Sequence, residues 1–193
     1  MDTPRQTDEQ SAITLMLASI GERPVNDIDT DQRLDVKKAM VALNEVNVSV
    51  QTKGWWLNRE DKIELKPNGS GELDLPANVV KIDAWKSSTS KFVQRGRRLY
   101  NNETRSFIDN TANLFVNWVV LLPFDDCPET FKLYVARRAG SIFQKRSVGS
   151  TTLFEFSQED VNEAWALLLQ EEVDQEDSNL RNAPDQFELN HQR

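Results

Sequence analysis

The stretch LASIGERPV, residues 17–25, decides how the first helix of this chain ends. Before it, apolar residues recur at intervals of three and four, and this period predicts a helix over about residues 8–20. Gly21 occupies the position where a helix C-terminus favours a left-handed backbone, and Pro24 cannot continue a helix because it lacks an amide hydrogen. The stretch therefore predicts a tight corner that folds the first helix back onto a second.

Polar residues that begin helices precede both of these segments. Thr7 and Gln10 fit the capping-box pattern at the start of the first helix. Residues 27–31 supply aspartates and a threonine that can cap the second helix. A single apolar stripe then predicts that the second helix runs over about residues 31–53, and Gly54 ends it.

The period of the sequence changes at Trp55. Short alternating or apolar segments, separated by turn residues such as those at 67–71, predict an antiparallel β region over about residues 55–122. Trp55 and Trp56 are adjacent, and adjacent side chains of a regular strand point to opposite faces. We therefore expect one of the two rings to face solvent or a partner.

A helical period returns at Pro128, a residue type favoured at the first helical position. It predicts a third helix over about residues 128–146 and, after a turn at Gly149, a fourth over about residues 158–177 that begins with a polar cap. Each helix has one apolar stripe that must be buried against another element. The sequence therefore predicts an α+β fold, an antiparallel helical bundle interrupted by an antiparallel β insertion.

The predicted elements divide the chain into three parts. Residues 1–54 plus 123–178 form a predicted helical bundle domain, and residues 55–122 form a predicted β insertion domain. Residues 179–193 are a polar, extended C-terminal tail that we expect to become ordered on docking to a partner. Its apolar residues are candidate docking groups: Leu180, Phe187 and Leu189.

Composition limits what the chain can do. Its net charge of −8 argues against general binding to nucleic acid, because phosphate contacts need clustered Lys and Arg. Hydrophobic residues make up 38% of the 193 residues, a low share that leads us to expect some burial against partners. Cys127 and His191 are the only residues of their types, so the chain can form no internal disulfide and no zinc site from them. We expect no cofactor.

The N-terminal residues show no basic start followed by an apolar core, as a signal peptide would. The longest apolar run, Val116 to Leu122, has the length of a strand and is too short to span a membrane. We therefore expect a soluble protein made in a reducing cytoplasm, with no direct membrane insertion.

Motifs for catalysis are scarce in this sequence. It contains no nucleophile elbow, phosphate-binding loop or zinc-protease motif, and its histidine lies near the C-terminus. Paired carboxylates can hydrolyse glycans, so Asp125 and Asp126 define an alternative function as a glycan hydrolase. Their simpler role is that of solvated loop and helix-cap residues, and we expect no catalytic residue.

Charged residues form separate groups along the chain. Four arginines of the β region define another alternative, a nucleic-acid binder: Arg95, Arg97, Arg98 and Arg105. Basic residues gather at the end of the third helix: Arg137, Arg138, Lys145 and Arg146. The fourth helix is acidic and includes Glu171 and Glu172. The last two groups are either ordinary solvated faces, or a basic patch that meets the acidic patch of a neighbouring copy.

The order of several motifs resembles the tail tubular protein A family, which provides the head-to-tail adaptor of short-tailed bacteriophages. These motifs are LASIGERPV between two helices, LysGlyTrp at 53–55, ProGluThrPhe at 128–131 and an acidic last helix. Together they cover about residues 17–177.

The resemblance implies a structural protein of the virion tail, made in the host cytoplasm, with no catalysis. Proteins of this family form a dodecameric ring that joins the portal protein to the nozzle, tail tubular protein B, near the attached tail fibre protein. DNA passes through the lumen of the ring during ejection. By analogy, the helical part faces the portal, and the β part faces the nozzle and fibres. The glycan hydrolase alternative would then be a virion-associated enzyme.

Overall fold

The computed structural model describes residues 7–84, 91–108, 114–149 and 151–181. They form helices and small antiparallel sheets, which confirms the α+β fold. The elements are α1 (Glu9–Ala18), α2 (Leu34–Gln51), β1 (Arg59–Leu65), β2 (Val79–Ala84), β3 (Phe92–Arg95), β4 (Arg98–Asn101), β5 (Leu114–Val120), α3 (Glu129–Ser147) and α4 (Thr151–Arg181). Contacts divide the chain into a helical unit, Met1–Val46 with Cys127–Arg193, and a β unit, Asn47–Asp126. The domain limits that the sequence analysis gives, 1–54 with 123–178, 55–122 and 179–193, stay predictions.

The start of α1 differs from the prediction. Asp8 is the cap: its carboxylate accepts the amide hydrogen of Ser11 at 2.7 Å, and its own amide donates to the Ser11 hydroxyl at 2.9 Å. The predicted capping box of Thr7 and Gln10 is therefore wrong. Thr7 instead donates its amide and hydroxyl hydrogens to the carboxylate of Glu129, a partner distant in sequence that no local pattern could indicate.

The corner after α1 forms as its sequence predicts. Gly21 has a φ of +79°, the left-handed region that glycine enters without steric cost. The amide of Glu22 donates to the carbonyl of Leu17 at 3.0 Å, and that of Gly21 donates to Ala18 at 3.1 Å. This pair of bonds is the Schellman motif, which satisfies carbonyls at the helix end. It tightens the last turn, so α1 ends at Ala18, two residues before the predicted limit.

Arg33 holds the segment between the first two helices. Its guanidinium donates to the carbonyls of Arg23 and Pro24 at 3.0 and 3.1 Å, and forms an ion pair with Asp31 at 2.8 Å. The hydrogen bonds from Arg33 hold the pKa of Asp31 below its usual value. Because Asp31 and Arg33 are engaged in this turn, α2 begins at Leu34, three residues later than predicted.

Helix α3 lies within the core of the helical unit and packs against α1 and α4. Its predicted limits agree with the structure to within one residue at each end. Phe131, Val135 and Ala139 are fully buried, as predicted. The stripe continues through Phe143, whereas the predicted Ile142 is only partly buried.

Helix α4 begins at Thr151, seven residues before the predicted start, and extends to Arg181. The Ser157 hydroxyl donates to the hydroxyl of Ser141 at 3.1 Å, and the Gln158 amide donates to the same oxygen at 2.6 Å. Both residues lie where the sequence predicts the polar cap of a helix that begins at about residue 158. They lie inside it because α3 offers them a partner, and the prediction of a start at 158 is wrong.

The β unit contains two small antiparallel sheets. One has the strand order β1-β5-β2, and the other is the β3–β4 hairpin, which turns through Gly96 with a φ of +62°. Leucine and valine side chains from both the strands and the loop before β2 form its core: Leu65, Leu73, Leu75, Leu99, Leu114 and Val116. The β region begins at Arg59, because residues 56–58 form a turn where a strand was predicted.

A buried network of hydrogen bonds holds this turn. The Asn58 amide group donates to the carbonyls of Gln51 and Val120 at 3.0 and 2.8 Å, and its oxygen accepts the Trp55 amide hydrogen at 2.9 Å. The Trp55 indole donates to Val50 at 2.7 Å and is fully buried, whereas Trp56 is only partly buried. The two rings therefore differ in exposure, but the contact of one ring with solvent or a partner stays a prediction, because Trp56 is only partly exposed.

Candidate interaction surfaces

Arg137 and Arg138 lie in the middle of α3, not at its end as predicted, and both have partners within the chain. Arg137 forms an ion pair with Glu163 at 3.0 Å and also donates to the carbonyl of Asp160 at 3.0 Å, and these two contacts tie α3 to α4. Arg138 donates to the Tyr134 hydroxyl at 3.0 Å. Both guanidinium groups therefore already have hydrogen-bond partners within the same chain. A contact of Arg137 or Arg138 with another copy of the chain stays a prediction.

The other predicted basic residues lie at the C-terminal end of α3. Arg146 forms an ion pair with Glu45 of α2 at 2.7 Å, and both side chains are more than half exposed. Lys145 is exposed. Exposed pairs of this kind contribute little to stability, about 0–1 kcal/mol.

The acidic candidates lie on the second half of α4. Glu171 accepts a hydrogen bond from the Thr130 hydroxyl of α3, and Glu172 is partly buried. Leu180 lies within α4, but its side chain is outside the described part of the chain. Phe187 and Leu189, the other predicted docking groups, are also outside the described residues.

Glu129 joins the N-terminal segment to the first turn of α3. It accepts the Thr7 amide hydrogen at 3.0 Å and pairs with the buried ammonium group of Lys132 at 3.3 Å. Burial alone would raise the pKa of Glu129, but the hydrogen bonds from Thr7 and Lys132 together lower it below its usual value. The contact stabilises the folded helical unit when Glu129 is charged.

The sequence prediction missed an apolar groove between α2 and α3. Its volume is about 440 Å³. Leu34 and Val41 are 65% and 56% exposed on its α2 side. Apolar floor residues and basic rim residues line it: Leu34, Lys37, Lys38, Val41, Ala42, Phe143, Arg146 and Ser147. The spacing of seven between Leu34 and Val41 could have indicated it, since residues seven apart share a helix face.

The outer face of α4 was also missed. Leu167 and Val173 are 45% and 58% exposed, although the same helix buries Ala164 and Leu168 on its inner face. Around the helix axis, the exposed residues Ala166 and Gln170 lie between Leu167 and Val173. The helix carries no Lys or Arg before Arg181, so this apolar stripe lies on a strongly acidic helix. A second apolar stripe on one helix is typical of contact with a partner.

Two arginines of the β3–β4 hairpin lie over aromatic rings, one on β4 and one in the segment that follows it. The Arg95 guanidinium lies 3.6 Å from the Tyr100 ring centroid, and that of Arg98 lies 4.4 Å from the Phe107 centroid. The two rings meet edge to face, with centroids 5.1 Å apart, and Arg98 pairs with Glu72 at 2.7 Å. These contacts use ring faces within the chain, which favours a structural role over the stacking of nucleobases.

The remaining alternatives from the sequence gain little support. Arg97 and Arg105 are exposed, as are Asp125 and Asp126, which lie on a single 3-10 turn. A general acid in glycoside hydrolysis needs an apolar enclosure, and exposed adjacent carboxylates do not have one. Across the described ranges, no three His, Cys, Asp or Glu residues form a group that could hold a metal ion.

Within the same ranges, no helix has the length and apolar character required to cross a membrane. No curated protein matches the chain. A family model described as tail tubular protein matches residues 10–178, most of the chain and parts of both units. The fold and this match identify a structural component of a bacteriophage tail. The chain belongs to the tail tubular protein family.

Proposed function

We propose that this chain is the head-to-tail adaptor of a short-tailed phage, the role of tail tubular protein A. In this proposal, copies of the chain form a dodecameric ring that joins the portal protein to the nozzle, tail tubular protein B. The ring helps to attach the tail fibre protein, forms part of the channel for DNA ejection, and has no enzymatic activity. The observation that carries the proposal is the family match over residues 10–178 together with the order of motifs within it.

The charge of the chain supports a role as a conduit. With a net charge of −8, a ring of many copies repels the phosphate backbone and does not hold passing DNA. The arginines of the β3–β4 hairpin are consistent with this role, since two of them cover aromatic rings of the same chain.

Exposed apolar side chains support assembly with other copies or other virion proteins. The helical unit exposes Leu34, Val41, Leu167 and Val173, which are large aliphatic side chains on two of its helices. Large contiguous apolar patches on a protein surface mark interaction sites. We also propose that the protein is made in the host cytoplasm and incorporated into the virion tail as the particle assembles.

A mass measurement tests the proposal. The purified full chain is mixed with the portal protein of the same phage, and the masses of the complexes are measured by native mass spectrometry. The proposal predicts a complex in which about twelve chains of 22.1 kDa are bound to one portal ring. A chain that stays monomeric and ignores the portal would contradict it.

A further inference from the structure

We propose that the α2–α3 groove of one copy receives the outer stripe of α4 from the next copy, and that this contact closes the ring. The groove is defined by the eight lining residues given above, and the stripe by Ala166, Leu167, Gln170 and Val173. The inference rests on the proposed function for the existence of a ring. It goes beyond that function by assigning the two surfaces that meet.

The groove provides an apolar floor that one chain leaves open. Leu34 and Val41 lie on the exposed side of α2, while the buried side of the same helix is formed by residues such as Val36, Ala39 and Leu43. Phe143 closes the bottom of the groove from α3. A groove of this kind, about 440 Å³ in volume, can receive apolar side chains from an opposing helix.

The stripe on α4 provides three matching apolar side chains, Ala166, Leu167 and Val173, together with the polar Gln170. Residues 166, 167, 170 and 173 follow the three- and four-residue spacing of one helix face, and all four are exposed. Within one copy, Leu167 and Val173 remain exposed together with Leu34 and Val41, so these surfaces do not cover each other. A second copy can bury both at once.

Charge complementarity selects the acidic helix as the occupant of the groove. Lys37, Lys38 and Arg146 surround the groove, and the carboxylates nearest to them, Asp35 and Glu45, leave a net positive charge. The charged groups that helix α4 places around its stripe are all acidic, because the helix has no Lys or Arg before Arg181. Apolar contact at the centre with opposite charges at the rim is the usual composition of a specific interface.

The two surfaces share no residue, so the contact is heterologous. Each copy offers one groove and one stripe, and repetition of the same contact around an axis produces a closed ring. A contact between two identical grooves would instead produce only dimers. Because the groove and the stripe are different surfaces, a copy with a defective groove can still bind, through its stripe, a copy with a defective stripe. A mixture of two such variants therefore tests which surfaces pair.

The test uses two full-length variants, each defective in one surface. Val41→Glu places a carboxylate in the groove, and the double change Leu167→Glu with Val173→Glu removes both aliphatic anchors of the stripe. Ile108→Glu, a change at an exposed apolar residue of the β unit, is the matched control. Each protein is measured alone and with portal protein by mass photometry, and its folding is checked by circular dichroism. Should Val41→Glu fail to fold, Leu34→Glu takes its place.

We expect the native chain and Ile108→Glu to form rings, and each defective variant alone to lose all species larger than the 22.1 kDa monomer. An equimolar mixture of the two defective variants has one intact groove and one intact stripe that can meet, so it should form two-chain complexes and nothing larger. Rings that persist in either variant, or a mixture without two-chain complexes, would overturn this inference and leave the proposed function standing. A native chain that forms no ring even with portal protein would overturn both.

Discussion

Gly54 follows α2 within the LysGlyTrp motif, and the change Gly54→Ala tests why glycine is needed there. The residue has a φ of +84°, and an added Cβ would lie 2.9 Å from Cγ2 of the buried Val119. A left-handed conformation costs a non-glycine residue about 1–2 kcal/mol, and overpacking adds about 1–3 kcal/mol. We therefore expect Gly54→Ala to lower the free energy of unfolding by about 2–5 kcal/mol.

The assay is denaturation in guanidinium chloride, followed by tryptophan fluorescence because Trp55 is buried next to the substituted position. Gly96→Ala is the control within the β unit: its φ is +62°, and nothing lies within 4 Å of an added Cβ. Gly96→Ala should lower the free energy of unfolding only by the cost of the left-handed conformation, without the cost of overpacking. Combining Gly54→Ala with Val119→Ala should then show a favourable coupling, because the second change removes the clashing methyl group. Equal losses for Gly54→Ala and Gly96→Ala, without coupling to Val119, would refute this explanation.

Three other predictions concern the β-unit network, the N-terminal contact and the tail. Asn58→Ala should destabilise the β unit by about 3 kcal/mol in the same denaturation assay, because it removes three buried hydrogen bonds to the backbone, each contributing about 1 kcal/mol; an effect below about 1 kcal/mol would contradict this. Glu129→Gln should lower the melting temperature at pH 7. Since the folded pKa of Glu129 is lowered, its contribution is present above the ordinary value of 4.5 and is lost as the pH falls through the lowered pKa, so the difference in melting temperature should shrink in acid. Removal of residues 182–193 should leave the helical circular dichroism unchanged and weaken portal binding; loss of folding would instead assign these residues to the core.

The sequence predicts the ends of helices well where a single residue at that position determines the backbone conformation. Gly21 and Gly149 adopt the positive φ that their positions after helices suggest, and α3 starts one residue after Pro128, which is its N-cap and not, as predicted, its first helical residue. In each case one residue type meets a backbone requirement that few others can meet. Such positions can be identified without knowledge of the tertiary partners.

The errors arise where a polar residue has a partner far away in the sequence. Thr7 resembles a cap but binds Glu129, and Ser157 resembles a cap but binds Ser141 of α3. A hydroxyl group next to an apolar run has the same local pattern in both roles. The tertiary partner decides between them, and it cannot be deduced from spacing alone.

The candidate surfaces were predicted only in part, for a related reason. Charge runs identified Arg137 and Arg146, which the structure pairs with Glu163 and Glu45 inside the chain. The exposed apolar stripes were missed because each lies on a helix that already has a stronger buried stripe. Whether a second stripe is surface or interface depends on which face the fold covers, and that requires the packed structure.

An image of the intact virion tail at side-chain resolution would locate this chain and its contacts in the assembled particle. We expect a closed ring of this chain between the portal and the nozzle, with the outer stripe of α4 from each copy seated in the α2–α3 groove of its neighbour. A tail in which this chain lies elsewhere, or forms no ring around the DNA channel, would show that it is not the head-to-tail adaptor.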